Sequence, residues 1–434
     1  MKAPVVLLVL LGMASTPLRA DDRTYLQAAQ QAAKWIRASA IQTDKGTIWP
    51  ADPRDPKSVS LNLYSGTPGV VLFFMEAYRS TGDESYLKDA RSGADYLLHA
   101  LPEQNSPGLY TGIAGIGFTL QETFKATKDN RYREGALRCA RWLQEHAAAV
   151  GKGMQWNETT DIIAGGAGVG LFLLYAAREL KEPAFRDLAA RAAGRLIEVG
   201  RPEAGGLKWA MDAKFPRLMP NFSHGTAGIA YFLTTVYAET GKKEFLAAAL
   251  AGAKYLQAVA QTEGDVCLIF HHEPDGKDLY YLGWCHGPVG TARLFYQLYK
   301  ATGDHAWMEW VKKSARAVMQ SGIPEKQTPG FWNNVSQCCG SAGVAEFFLD
   351  LYKVTRERDY LVFAERVTAN LLSRASSDGS GMRWIQAEHR VKPDLLLAQT
   401  GYMQGAAGIG MLLLHLDNFK KNRPSAIKLP DSPF

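Results

Sequence analysis

The sequence predicts an all-α fold, an α/α toroid with a double ring of seven inner and seven outer helices. A glycine phrase, Gly-x-x-Gly, recurs every 46 to 65 residues, and an almost wholly apolar segment follows each copy. Amphipathic segments alternate with the apolar ones. Repeats of this length usually represent one supersecondary unit stacked on itself. The seven phrases begin at Gly66, Gly112, Gly165, Gly225, Gly287, Gly340 and Gly405.

The first twenty residues predict a secretory signal peptide. Lys2 gives a positive start, residues 5–13 form an apolar run, and Ala20 is a small residue at the cleavage position. The run is short for a membrane span. We therefore expect residues 1–20 to be removed and residues 21–434 to form one domain, exported to the periplasm or secreted, without stable membrane insertion. Cleavage after Ala14 and an uncleaved anchor are the alternatives.

The first unit illustrates the predicted helix pair. Residues 70–78 are apolar on nearly every side, as in a buried helix. Asp83 is an N-cap candidate for residues 84–101, whose apolar positions recur at helical spacing. The other predicted inner helices are 115–127, 168–180, 228–240, 290–302, 343–354 and 408–416, and the other outer helices are 23–41, 132–148, 182–199, 243–260, 304–321 and 358–375.

Helix 23–41 precedes the first phrase and has no partner unless the last unit packs against it. This requirement favours a closed ring over an open solenoid, which usually needs polar capping repeats. Glycines at the inner-helix N-termini would allow the backbones of neighbouring units to approach closely, and those N-termini would converge at one end of the ring. The loops 151–161, 205–223, 264–284 and 322–337 should wall a pocket there and contain short strands.

A formal charge of +6 over 434 residues is mild, and no long Lys/Arg run occurs. We therefore expect no nucleic-acid partner.

Three of the five cysteines, Cys285, Cys338 and Cys339, directly precede repeat glycines in successive units. A ring would place equivalent positions side by side, so these cysteines can meet at one metal. Three protein ligands and an open position are typical of catalytic zinc, and thiolates favour Zn²⁺. A vicinal Cys338–Cys339 disulfide is the alternative for an exported chain. Cys139 is expected to be a buried apolar residue, and Cys267 has no assigned role.

The motifs resemble those of the lanthionine synthetase C-like family over nearly the whole mature chain. They read Asn-Phe-Ser-His-Gly-Thr-Ala-Gly at 221–228, Trp-Cys-His-Gly at 284–287 and Cys-Cys-Gly at 338–340. The resemblance implies zinc ligands at Cys285 and Cys338, with Cys339 replacing the usual histidine, as in a three-cysteine branch. His286 departs from the commoner tyrosine, so its role is left open.

The resemblance also implies that His224 exchanges a proton beside the metal and that Asp161 lies near it. The implied reaction is addition of a thiol to a dehydroamino acid, a Michael-type thioether formation, on a peptide or small-thiol substrate. A separate dehydratase partner would then be needed. A structural role for His224 and helix capping by Asp161 are the alternatives.

Two other functions remain open at the level of sequence. One is a carbohydrate-active toroid, a glycosidase or lyase, because fold does not determine function. Its candidate acids are Glu158, Asp161, Asp212 and Glu273, which would have to work as a spaced pair. The other is a non-catalytic, zinc-stabilised peptide-binding protein.

The export hypothesis predicts that the mature chain begins at or near Asp21, because signal peptidase would remove the segment before it. N-terminal sequencing of the purified protein, with cell fractionation, tests this. Soluble cytoplasmic protein that retains Met1 would contradict it.

Overall fold

The computed structural model describes residues 23–212, 214–215 and 217–434. The proposed signal peptide lies outside the described residues. Within them, fourteen α-helices form two concentric rings, so the predicted toroid is confirmed. None of the described helices is both long and apolar enough to cross a membrane.

Seven helices, most of whose residues are buried, form the inner ring. Each begins directly after the first glycine of a phrase, three residues earlier than predicted at α2, because the phrase itself forms the first helical turn. They are α2 (Thr67–Thr81), α4 (Ile113–Thr127), α6 (Gly166–Leu180), α8 (Thr226–Thr240), α10 (Pro288–Thr302), α12 (Ser341–Thr355) and α14 (Ala406–Lys420).

Seven amphipathic helices form the outer ring, each packed on an inner helix. Helix α1 packs on α14, and α14 packs on α2, so the ring closes as the unpaired first helix required. The outer helices are α1 (Arg23–Ala38), α3 (Glu84–Ala100), α5 (Asn130–Glu145), α7 (Pro183–Val199), α9 (Lys243–Val259), α11 (His305–Gln320) and α13 (Arg358–Ser373).

Short antiparallel hairpins occur in the described part of the chain. Of the four loops expected to contain strands, 151–161 and 205–223 do, whereas 264–284 and 322–337 have only isolated bridges. The hairpins after α1, α5 and α7 pack against the next outer helix around the ring, and the hairpin after α13 packs on α1. The strands are β1 (Ile41–Thr43), β2 (Gly46–Ile48), β3 (Ala148–Val150), β4 (Gly153–Gln155), β5 (Arg201–Glu203), β6 (Gly206–Lys208), β7 (Ala375–Asp378), β8 (Gly381–Trp384), β9 (Gln386–Ala387) and β10 (Leu396–Leu397).

A closed circle of backbone hydrogen bonds joins the turns that precede the inner helices. Six of its bonds run from the N–H of the residue two places before a phrase glycine to the carbonyl of its counterpart in the next unit. In the remaining bond the donor is Ile162, one residue earlier. The N···O distances are 2.8–3.3 Å. The residues at this repeat position are Tyr64, Tyr110, Ile163, Ser223, Cys285, Cys338 and Met403.

The last glycine of every phrase lies under the carbonyl oxygen of the residue six places before it. A Cβ there would stand 1.9–2.8 Å from that oxygen at all seven positions. The close approach therefore occurs mainly within each turn, rather than between neighbouring units as predicted. It keeps the turn tight enough to present its residues to the circle of hydrogen bonds.

The chain after α14 turns back into the inner ring. Two carboxylates anchor it: Glu76 of α2 accepts bonds from the backbone of Ala426 and Ile427, and Asp431 accepts one from the Tyr110 hydroxyl at 3.2 Å. Phe434 stacks on Tyr296 of α10 at 4.5 Å between ring centroids. The C-terminal residues thus pack into the interior of the toroid.

Gly290→Ala should destabilise the fold, because its Cβ would lie 1.9 Å from the Trp284 carbonyl oxygen. We expect the free energy of unfolding to fall by about 1–3 kcal/mol, as at other overpacked sites. The measurement is the midpoint of urea unfolding. Gly379→Ala is the matched control, since nothing lies within 4 Å of its added Cβ. Equal midpoints for the two variants would contradict the steric argument.

Candidate metal centre

The sulfurs of Cys285, Cys338 and Cys339 meet at one end of the inner ring. Cys285 lies in the turn before α10, and the other two lie in the turn before α12. The Cys285 Sγ is 3.0 Å from the Cys339 Sγ, which is 3.4 Å from the Cys338 Sγ, and all three lie within 4.8 Å of one another. The backbone bond from Cys285 N to Cys338 O, 3.1 Å long, brings the two turns together.

The three sulfurs are consistent with a zinc site. At a Zn–S distance of about 2.3 Å, tetrahedral sulfurs stand about 3.8 Å apart, which is about 0.4–0.8 Å wider than the two observed contacts. All three cysteines are free thiols, two of them buried, so the alternative of a Cys338–Cys339 disulfide does not describe this structure. Three thiolates would leave one tetrahedral position for a substrate.

A cavity of about 230 Å³ opens onto the three sulfurs. Two of the four predicted loops, 264–284 and 322–337, contribute to its walls, and 205–223 reaches it only at Ser223. Residues 151–161 do not line it, whereas residues 388–391, which the sequence analysis missed, do. Its lining is Tyr64, Ile163, Ser223, His224, His271, Tyr281, Cys285, His286, Trp332, Cys338, Cys339, Glu388, His389, Arg390, Val391 and Gln404.

His224 lines this cavity and is held by Asp161. The His224 Nδ1 lies 2.5 Å from one carboxylate oxygen of Asp161, whose side chain is 1 % exposed. The other oxygen accepts bonds from the N–H groups of Ala164 and Gly165 at 2.8 and 2.9 Å. Asp161 therefore caps the turn before α6, as the alternative predicted, and also orients His224. The second ring nitrogen of His224, Nε2, is left for other partners.

The charge of His224 is set by opposing effects. Burial alone would lower its pKa, but the attraction and hydrogen bond of Asp161, with a smaller contribution from Cys338, raise the pKa of His224 above its ordinary value. Burial, reinforced by the neighbouring histidines, lowers the pKa of His271 to about 3 and that of His286 well below the usual range. Of the four histidines that line the cavity, these three therefore comprise one suited to carry a proton, His224, and two neutral ones, His271 and His286.

Tyr64 is a site residue that the sequence analysis did not identify. Its hydroxyl donates to the Cys338 Sγ at 3.3 Å. Burial raises the pKa of the Cys285 thiol, whereas hydrogen bonds from the neighbouring cysteines and Tyr64 lower the pKa of Cys338. The signal was present in the sequence, because Tyr64 occupies the same repeat position as Cys285 and Cys338.

The remaining cysteines lie away from the site. Cys139 and Cys267 are buried, and burial raises the pKa of each thiol to about 12. Cys139 is thus the apolar core residue of α5 that the sequence predicted.

Three tryptophans hold hairpins to the fold. Trp156, Trp209 and Trp384 each donate an indole N–H to the carbonyl of the leucine thirteen residues earlier. Trp332 lines the cavity, and Trp284 packs against Tyr110 beneath the site.

The acids required by the carbohydrate hypothesis do not form a pair in this cavity. Asp161 is engaged by His224, Glu158 pairs with Lys214, and Glu273 pairs with Lys208. Asp212 accepts backbone bonds from its own turn. None of the four lines the cavity over the cysteines.

Comparison with known proteins gives a consistent family assignment. A family model described as "Lanthionine synthetase C-like protein" matches residues 57–429. A curated relative from Danio rerio, "Glutathione S-transferase LANCL1", is 26% identical over 139 residues, which is 32% of this chain and 32% of that protein. The chain therefore matches about a third of that relative's length.

Solved structures support the fold. Nisin cyclase superposes with a TM-score of 0.65 at 16% identity, covering 93% of this chain and 96% of that one. A GH76 alpha-mannanase from Bacteroides thetaiotaomicron superposes with a TM-score of 0.51 at 11% identity, covering 93% and 97%. At these identities the likeness establishes the toroid alone.

The geometry predicts one zinc ion per chain. Cys285→Ser should lose most of the metal, because it removes one of the three sulfurs. The measurement is metal analysis by mass spectrometry of protein purified without chelators. Cys267→Ser is the matched control, since its thiol is buried elsewhere, and it should retain zinc. We call Cys285, Cys338 and Cys339 the triad. Metal-free wild-type protein with a disulfide between two cysteines of the triad would contradict the zinc assignment.

Proposed function

Because the chain belongs to the lanthionine synthetase C-like family, we propose that it is an exported, zinc-dependent enzyme that adds a thiol to a dehydroamino acid. The product would be a thioether. The observation that carries this proposal is the three-cysteine cluster and the Asp161-held His224 around one cavity. A thiolate centre beside a proton donor is the pair of functions that this reaction needs.

Cys285, Cys338 and Cys339 would hold the metal. When bound, zinc would lower the pKa of a coordinating substrate thiol, which would release its proton to solvent, so that the attacking thiolate is present at neutral pH. The cavity walls then orient the electrophile. The substrate sulfur forms a bond to the β-carbon of the dehydroamino acid, and the electrons of that double bond move toward the carbonyl to give an enolate.

His224 is proposed to complete the addition as a general acid. Its protonated Nε2 supplies a proton to the α-carbon, and the neutral ring regains one from solvent. Asp161 fixes the Nδ1 side of the ring and stabilises the charged form. Asp161 is therefore proposed as a positioning residue rather than a group that touches the substrate.

The small size of the cavity favours a peptide or small-thiol substrate of which only the reacting part enters the cavity. About 230 Å³ is below the usual range for a drug-sized ligand, roughly 300–1,000 Å³. Much of a peptide substrate would therefore lie on the rim. The dehydroamino acid would come from a separate dehydratase, and residues 1–20 support export as the location.

His224→Ala should separate metal binding from turnover. We expect the variant to keep its zinc, because His224 is not among the clustered sulfur ligands, and to lose about 10²–10⁴-fold in rate, the usual contribution of a general acid. Cys339→Ala should lose zinc and activity together. The assay is thioether formation between a thiol and a dehydroalanine peptide, followed by mass spectrometry with metal analysis.

His305→Ala is the matched control, since His305 begins α11 in the outer ring, and its rate should be unchanged. Two outcomes would contradict the proposal. If zinc-loaded wild-type protein adds no thiol to any dehydroamino acid, the proposed reaction is wrong. If His224→Ala loses zinc as Cys339→Ala does, His224 is a ligand and its proposed role is wrong.

A further inference from the structure

Tyr64 contacts a sulfur of the proposed metal centre, and the mechanism above gives it no task. Its Oη lies 3.3 Å from the Cys338 Sγ. Its backbone is fixed by two bonds of the circle, to Tyr110 O and from Met403 N, at 3.0 and 2.8 Å. Met403 also accepts from the Cys338 N–H. Tyr64 is thus the neighbour of Met403 in the closed circle, and its side chain faces the triad.

The surrounding amides determine where the Tyr64 proton points. The Gln404 Nε2 donates to the Tyr64 Oη at 2.8 Å. The opposite orientation of this amide is unfavourable, because the Gln404 Oε1 accepts from the Asn334 Nδ2 and the Gln386 Nε2, each at 3.4 Å. Since the Gln404 amide must donate to the hydroxyl, the phenolic proton is left for the Cys338 sulfur.

The charge of the centre explains why such a donor matters. Three thiolates around one Zn²⁺ carry a net charge of −1, one unit more negative than two thiolates and a neutral histidine. Cys285 and Cys338 are buried, where uncompensated charge is costly. In the described part of the chain, Tyr64 is the one side chain outside the triad that hydrogen-bonds a triad sulfur.

We propose that Tyr64 is a positioning residue of the metal centre, whose hydroxyl stabilises the Cys338 thiolate and offsets part of the charge that the third thiolate adds. A hydrogen bond to a ligand sulfur fixes the position of that sulfur and offsets part of its negative charge when the metal is bound. The inference rests on zinc binding at the triad, which the proposed function also requires, but it does not depend on thiol addition.

The test is Tyr64→Phe, measured on metal binding alone. Zinc affinity, determined by competition with a chromophoric chelator, should fall about 10- to 100-fold, the usual cost of losing a hydrogen bond to a metal ligand. In the cobalt-substituted protein, the sulfur-to-metal charge-transfer band should move to longer wavelength, because the sulfur becomes a stronger electron donor.

Tyr110→Phe is the matched control. Tyr110 occupies the same repeat position and is more deeply buried than Tyr64, but its hydroxyl donates to Asp431 instead of a sulfur. It should leave affinity and the cobalt band unchanged. Gln404→Met keeps the Tyr64 hydroxyl but removes the amide that orients it, so both quantities should shift in the same direction by a smaller amount.

Unchanged affinity and an unchanged cobalt band in Tyr64→Phe would overturn the inference, and so would equal changes in Tyr64→Phe and Tyr110→Phe. If Tyr64→Phe does not fold, an unshifted Gln404→Met overturns it. Wild-type protein that binds no zinc or cobalt at the triad would overturn it together with the proposed function. Zinc-loaded wild-type protein that adds no thiol would contradict only the proposed reaction, since both measurements would still hold.

Discussion

The closed circle of backbone hydrogen bonds is the constraint on which the site depends. It ties the seven turns at one end of the inner ring to each other, so a residue two places before a phrase glycine has a fixed neighbour in the next unit. Cys285 and Cys338 are such neighbours, and Cys339 is adjacent in sequence. The three sulfurs meet because the toroid brings these turns together. The ligands therefore do not need to be closely spaced in the sequence.

The same turns account for the glycine phrases and for the proton-handling pair. Each turn is so tight that a Cβ on its last glycine would collide with a carbonyl oxygen of the same turn. Asp161 stabilises one of these turns through two backbone N–H groups and uses its other oxygen for His224. One buried carboxylate therefore links the stability of the α6 turn to the orientation and charge of a site residue. A structural role and a functional role need not be alternatives at such a position.

The C-terminal residues of the chain pack into the interior of the toroid. The C-terminal residues place Asp431 against Tyr110, whose ring packs on Trp284 next to Cys285. The C-terminal residues thus support the turns of the metal site from inside the toroid, and the circle of hydrogen bonds joins these turns to one another. A cavity bounded by such supported turns suits a site that must hold three sulfurs and a histidine in fixed relation.

Much of this was determined by the sequence alone. The glycine repeat and the alternation of apolar and amphipathic segments specified fourteen helices, and the unpaired first helix required closure, because each helix must bury its apolar face. Equivalent repeat positions were enough to bring the three cysteines together. Tertiary structure alone decided that Asp161 holds His224 while capping its own turn, that residues 388–391 wall the cavity, and that Tyr64 reaches Cys338. Those contacts join side chains from different units, and their partners depend on side-chain direction and amide orientation, which helical periodicity does not encode.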